Sequence, residues 1–258
     1  MLAGQGHFVA AAVSFENQSS MQPDADGETM IELYSFPTPN GYKVSIALEE
    51  LGLGYEIIPI NIARGDQFDK EFLRISPNNR IPAIVDHDPI GGGAPLSIFE
   101  SGAILVYLAD KASGLLPQDV RARCEVMEWV MWQMANFGPM LGQLGHFRNY
   151  ADEQVPYALK RYGDEVDRLY GILDGRLTER EYVAGDYSIA DIAIGPWVGF
   201  RGMHGVELAA YPNVARWYSA VSERPAWVRG LEAGKDDWGA EPIGDDAKKV
   251  LFGQQRRA

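Results

Sequence analysis

The chain has 258 residues, 46% of them hydrophobic and 23% charged, enough for one large globular domain or two small ones with a sizeable core. A net charge of −13 argues against an extended nucleic-acid surface, which needs a basic patch, but leaves room for a local pocket that takes a small anion. One cysteine, Cys124, rules out an internal disulfide and a cysteine metal cluster and fits a reducing, cytoplasmic compartment; the histidines His7, His87, His146 and His204 lack metal-ligand spacing, and no apolar run reaches the ~20 residues that a membrane span takes.

Residues 1–29 open with a brief apolar patch that lacks the basic start of a signal peptide. They then turn to Gln, Ser, Asp and Gly, which reads as a mobile extension. From Met30 the chain alternates. A strand over 31–36 meets Pro37 and Pro39, which cannot donate to a ladder, and Asn40 is placed to cap a helix over 40–51. In that helix Val44, Ala47, Leu48 and Leu51 form one apolar stripe, and Gly52 and Gly54 end it. Residues 55–62 read as a second strand, with Pro59 marking an edge or a bulge. Phe68, Phe72, Leu73 and Ile75 suggest a short irregular helix. Residues 83–86 and 96–101 then read as a hairpin across a Gly-rich loop, followed by a helix over 102–111 that is apolar nearly all round and so buried. The order βαβ, irregular α, ββα is a thioredoxin-like α/β layout over 30–112.

The texture then changes to helix without strands, an all-α domain over 118–233. Residues 156–178 carry Tyr162, Val166, Leu169, Tyr170, Leu173 and Leu177 on one stripe. Residues 188–200 are apolar with a kink expected at Pro196, and Val214, Trp217, Tyr218 and Val221 repeat at helical spacing. The tail over 234–258 is polar and reads as a flexible arm.

The turn that follows the first strand is the candidate active site. It lies at a helix N-terminus, where backbone N–H groups favour an anion or a thiolate, and Thr38 and Asn40 are its polar side chains. Pro82, just before a strand, is either an ordinary trans proline in a loop, which the residues alone favour, or a cis proline whose neighbour Ile81 offers its backbone to an extended ligand. Glu100 and Ser101 open a helix. Ser101 as N-cap could hold a carboxylate and Glu100 an amine, clamping an amino-acid head group; a plain cap beside a solvated glutamate fits equally. Ser188 and Asp191 form a capping box that nucleates a buried helix and binds nothing. Cys124, flanked by charges on a helix, reads as structural. Trp129, Met131 and Trp132 read as core or interface, and Tyr34 as a packed strand residue.

Together YSFPTPNGYKVSIALEE, EFLRISPNNRIPAIVDHDP, LSIFESGAILVYLA and YSIADIAIGPW resemble segments of the glutathione transferase superfamily over most of the chain, from Met30 to about Ala233. The P-T-P-N-G turn, SPNNRIPAIVDH and PMLGQ are most similar to the Nu-class bacterial transferases that act as disulfide-bond reductases, with the yeast nitrogen catabolite regulator as a relation. The resemblance implies a homodimer with glutathione as co-substrate. It puts Thr38 and Asn40 at the glutathione sulfur and Ile81, before a cis Pro82, against its cysteinyl backbone. Glu100 and Ser101 would hold the γ-glutamyl amine and carboxylate, Gln67 would lie in a contacting segment, and Arg161 would reach across the dimer, where a second glutathione can lie. It further implies reduction of small disulfides, or conjugation of electrophiles, or a non-catalytic glutathione-binding regulator. Unlike most of the superfamily, the turn offers neither cysteine nor serine, so a redox reaction must use thiols of bound glutathione. Phe137, Phe147, Tyr211 and Trp238 are candidate walls for the second substrate, although their spacing does not single them out.

Overall fold

The computed structural model describes residues 31–235 and 245–253. The readings made for residues 1–29 and for Trp238 lie outside these. Strand β1 (Ile31–Ser35) leads through the proline turn into α1 (Pro39–Leu51), then β2 (Tyr55–Pro59), a 3-10 turn Asp66–Phe68 and α2 (Lys70–Ile75). Strands β3 (Ala83–Asp86) and β4 (Leu96–Phe99) form the hairpin, and α3 (Ser101–Ala112) closes the unit. The sheet order is β2-β1-β3-β4, with β1 parallel to β2 and antiparallel to β3. Pro59 ends β2 three residues earlier than the apolar run suggests, and β2 is an edge strand, as a strand proline requires.

The helices that follow are α4 (Val120–Trp132), a π segment Gln133–Phe137, α5 (Gly138–Asn149), α6 (Pro156–Arg176), α7 (Ile189–Gly199), the short α8 (Arg201–His204), α9 (Pro212–Ser222), α10 (Pro225–Glu232) and α11 (Asp245–Phe252). No helix among the described residues is long and apolar enough to cross a membrane. The helical stripes bury as their spacing predicts: Val166, Leu169, Tyr170, Leu173 and Leu177 line the core, with Tyr162 half-buried against it. The Ser188–Asp191 capping box is formed.

Helix α1 sits between the sheet and the helical part. Its Val44, Ala47 and Leu48 pack with Ile31, Leu33 and Ile84 of the sheet and Ile104, Leu105 and Leu108 of α3. On its other side Ser45 Oγ donates to the Gly230 carbonyl at 2.7 Å, and a side chain at Gly230 would stand 2.6 Å from the Ile46 Cα. Glu49 pairs with Arg229 and Glu50 with Arg224 across the same contact. The two halves of the chain are therefore clamped along one helix, and the N-terminal end of that helix carries the candidate site.

Three expectations need correction. Helix α1 starts at Pro39 and its N-cap is Thr38, not Asn40: Thr38 is extended (φ −131, ψ 161) and its Oγ1 accepts from Gly41 N. A proline fits the first helical position, since its missing N–H would go unpaired there, and this moves the cap one place upstream of the proline. Helix α3 starts with Ser101 in its first turn rather than at the cap, and Glu100 holds the cap position with φ 72 and no side-chain capping bond. The tail, read as a flexible arm, carries α11 among its described residues, packed on the rest of the fold: its Phe252 ring meets His146 at 4.6 Å and Tyr150 at 5.3 Å, and Val250 reaches Gly65.

Candidate functional site

Register brings the candidate residues to one end of the sheet. Tyr34, near the end of β1, pairs with Ala83, and Ala83 pairs with Phe99 at the end of β4. The proline turn after β1, the Ile81–Pro82 bond before β3 and Glu100–Ser101 after β4 therefore lie side by side. The Ile81–Pro82 bond is cis. Asn78 Nδ2 donates to Glu100 Oε1 at 3.2 Å, so the loop before Pro82 is tied to the start of α3.

The turn is shaped by backbone bonds. Thr38 N donates to the Phe36 carbonyl at 2.7 Å, and Thr38 Oγ1 accepts from Gly41 N at 3.2 Å. Capping uses a lone pair of the hydroxyl and leaves its O–H to donate elsewhere. A Cβ at Gly41 would overlap the Phe36 carbonyl oxygen and stand 2.5 Å from Ser35 Oγ, so only glycine permits this close a turn. Asn40 Oδ1 accepts from Trp197 Nε1 of α7 at 3.1 Å. An indole nitrogen only donates, so the atom facing it is the amide oxygen, and the amide N–H groups are left for a ligand.

The start of α3 presents a second donor surface. The Glu100 side chain does not cap its first N–H groups, a setting that favours a carboxylate. The positive φ of Glu100 is uncommon for a residue with a Cβ, and such backbone is often found where a ligand is held. Ser101 is buried, and its Oγ accepts from Lys43 Nζ at 3.3 Å. Lys43 also donates to Gln133 Oε1 at 2.6 Å, in the π segment; π-bulges recur at functional sites.

The remaining candidates are scattered. Gln67 is buried, its Nε2 donates to the Ile62 carbonyl at 3.2 Å, and its Oε1 has no partner among the described residues. Arg161 lies on α6 in the helical part, exposed, with Glu165 at 3.9 Å; within one chain it joins no site residue. Tyr34 donates to Glu32 at 2.7 Å and packs on Phe72, and burial with Glu32 beside it pushes its hydroxyl up to about 12. Its one O–H is given to Glu32 rather than to the turn. Cys124 is exposed on α4.

Phe137 is no wall: it is fully buried, stacked on Trp132 and against Tyr170. Phe147 stacks on Tyr162. Tyr211 donates to Asp167 and lines a cleft of about 540 Å3 with His204 and Arg148, which includes neither Thr38 nor Asn40. Sequence reasoning missed Lys43, Gly41, Gln133 and Trp197. Lys43 had a signal, since it stands three and four residues before Ile46 and Ala47, on the buried face of α1.

Residues 29–110 match the glutathione S-transferase N-terminal domain, and residues 142–225 match its C-terminal domain. The chain is 50% identical over 203 residues to the disulfide-bond oxidoreductase YfcG of Escherichia coli, covering 78% of this chain and 94% of that one. A glutathione transferase family member from Pseudomonas fluorescens, solved with two glutathiones bound, superposes with a TM-score of 0.76 at 47% identity, over 79% of this chain and 93% of that one. A transferase from Pseudomonas putida, solved with one glutathione disulfide bound per subunit, gives a TM-score of 0.75 at 44% identity, over 81% and 94%.

Proposed function

The chain belongs to the glutathione transferase family, and on that premise we propose that it is a glutathione-dependent disulfide reductase acting on small disulfides. The observation that carries this reading is the placement of sulfur and its donors. The chain's one cysteine, Cys124, stands exposed on α4, on none of the elements that meet at the turn. The turn itself has a helix N-terminus, the Thr38 hydroxyl and the Asn40 amide, and no thiol. It can stabilise a thiolate that a ligand brings.

Glutathione would lie across the three adjoining segments. Its γ-glutamyl carboxylate would take the Ser101 hydroxyl and the first N–H groups of α3, and its amine the Glu100 carboxylate. Its cysteinyl backbone would pair with Ile81 before Pro82, and its sulfur would face Thr38 and Asn40. Gln67 would contact it from the segment after β2. The thiolate attacks one sulfur of the substrate disulfide, forming a glutathione mixed disulfide and expelling the other half as a thiolate. A second glutathione thiolate then attacks the glutathione sulfur of that mixed disulfide, giving glutathione disulfide and the second substrate thiol. Two glutathiones are consumed per disulfide, and no protein cysteine changes state. The relatives solved with two glutathiones or one glutathione disulfide support a site roomy enough for both.

In this reading the enzyme is a cytoplasmic homodimer and Arg161, far from the site of its own chain, serves that of its partner. The test is a side-by-side rate assay with reduced glutathione, using a small dithiol-derived disulfide and a chlorinated nitroaromatic electrophile. A disulfide rate well above the aromatic one is expected. The reverse ranking would make the protein a conjugating transferase, and glutathione binding with neither rate would make it a binding or regulatory protein.

A further inference from the structure

Lys43 is the only lysine or arginine that is fully buried among the described residues, and no step above uses it. Its Nζ lies 2.6 Å from Gln133 Oε1, 3.3 Å from Ser101 Oγ and 3.6 Å from Met134 Sδ. All three partners are neutral. An ammonium buried against neutral acceptors is costly, and a methionine would fill the same space without that cost. The charge stands directly behind Ser101.

We propose that Lys43 is the buried cation that reads the α-carboxylate of the γ-glutamyl group through the Ser101 hydroxyl, so that ligand and proton bind together. This rests on the glutathione reading of the site. A serine hydroxyl has one hydrogen and two lone pairs. Lys43 donates to the oxygen, which leaves the hydrogen free to point outward; among the described residues Ser101 Oγ otherwise has Met134 Sδ at 3.6 Å, a weak acceptor. An incoming carboxylate is a far stronger one. Lys43 is therefore a positioning residue: it aims the serine hydroxyl and supplies the countercharge from behind.

Burial pushes the Lys43 ammonium down to about 7, against an opposing pull from Glu100. The other charged groups on elements packed against α1 are engaged elsewhere. Glu49 and Glu50 pair with Arg229 and Arg224, Asp110 pairs with Arg123 and Lys111 with Asp86, Glu32 accepts from Tyr34 and meets His87, Glu232 pairs with Lys235, and Asp191 caps α7. A carboxylate arriving at Ser101 favours the charged amine. Binding above neutral pH must then draw a proton from solution.

The experiment is titration calorimetry of the full chain with S-methylglutathione, which has no thiol proton to release, in buffers of differing ionisation enthalpy. At pH 8 the wild type is expected to take up more than about half a proton per site, and at pH 6 only about a tenth. The Lys43→Met variant should show no such difference between the two pH values and should bind at least about tenfold more weakly at pH 6. Lys43→Arg, whose guanidinium stays charged, should recover affinity without the uptake. An S-methylglutathione analogue with 4-aminobutyryl in place of γ-glutamyl, lacking only the α-carboxylate, should bind the wild type without the uptake; that arm needs no variant to fold. Equal uptake in wild type and Lys43→Met, or uptake that persists with the analogue, overturns the proposal while the glutathione reading stands. Failure of the wild type to bind S-methylglutathione at any pH overturns both.

Discussion

Trp197 and Asn40, 157 residues apart in sequence, share a hydrogen bond of 3.1 Å from the indole nitrogen to the amide oxygen. The bond crosses from α7 to the first turn of α1, so the helical part sets which way the Asn40 amide faces. Trp197 is itself held by close packing, with Gly142 and Gly138 beneath its ring and His204 stacked on it. Trp197→Phe keeps most of that packing and removes the N–H. Disulfide turnover should fall about tenfold, the equivalent of one modest hydrogen bond, while affinity for S-methylglutathione stays within about threefold. Steady-state rates and calorimetry on the same preparation check this.

Thr38 has two tasks that substitutions can separate. Its oxygen caps α1, and its hydrogen is free for the sulfur. Thr38→Ser should keep both, whereas Thr38→Val should lose both, with about 1 kcal/mol of stability gone with the cap. Asn40→Ala has no capping bond to lose. It should reduce the disulfide rate far more than it weakens glutathione binding, and equal loss of both would reduce Asn40 to a binding residue.

Gly41→Ala tests the turn. The added methyl group meets the Phe36 carbonyl, a backbone atom, besides Ser35 Oγ, so the backbone around Thr38 must shift. Activity should drop at least about a hundredfold, since misplacement of about 1 Å at a reacting group has that effect. Rate measurement beside a thermal melt distinguishes this from unfolding.

Much of this was legible in the sequence because it rests on periodicity and punctuation. The Val44–Ala47–Leu48 stripe, the hairpin across GGGAP and the Ser188–Asp191 box each have a local pattern, and each is found in the fold. The Asn40 side chain suits a cap by residue type, but Pro39 in the first helical position decides for Thr38. What the sequence hid is what depends on contacts between distant segments. Trp197 bonds to Asn40, Lys43 to Gln133, and Phe252 packs on His146. None of these pairs has a spacing rule. Phe137 illustrates the converse, an aromatic side chain that composition allows as a pocket wall and packing assigns to the core.

His204 gives a pH prediction. It is buried beside Trp197, and burial, then Arg148, hold its imidazole down to about 4 from an ordinary 6.5. The native state keeps it neutral where the unfolded chain takes a proton. Its contribution is therefore present above pH 6.5 and is lost as pH falls through 4. Urea melts at pH 7 and pH 4 should show the wild type losing more stability than His204→Gln over that interval.

The central claim is that the sulfur chemistry belongs to bound glutathione and not to the protein. Cys124→Ser leaves a chain with no cysteine, and its rate of small-disulfide reduction with reduced glutathione tests the claim most directly. The account predicts a rate equal to the wild type. A rate reduced to background, in a variant that still binds S-methylglutathione, would place the nucleophile on Cys124 and contradict it.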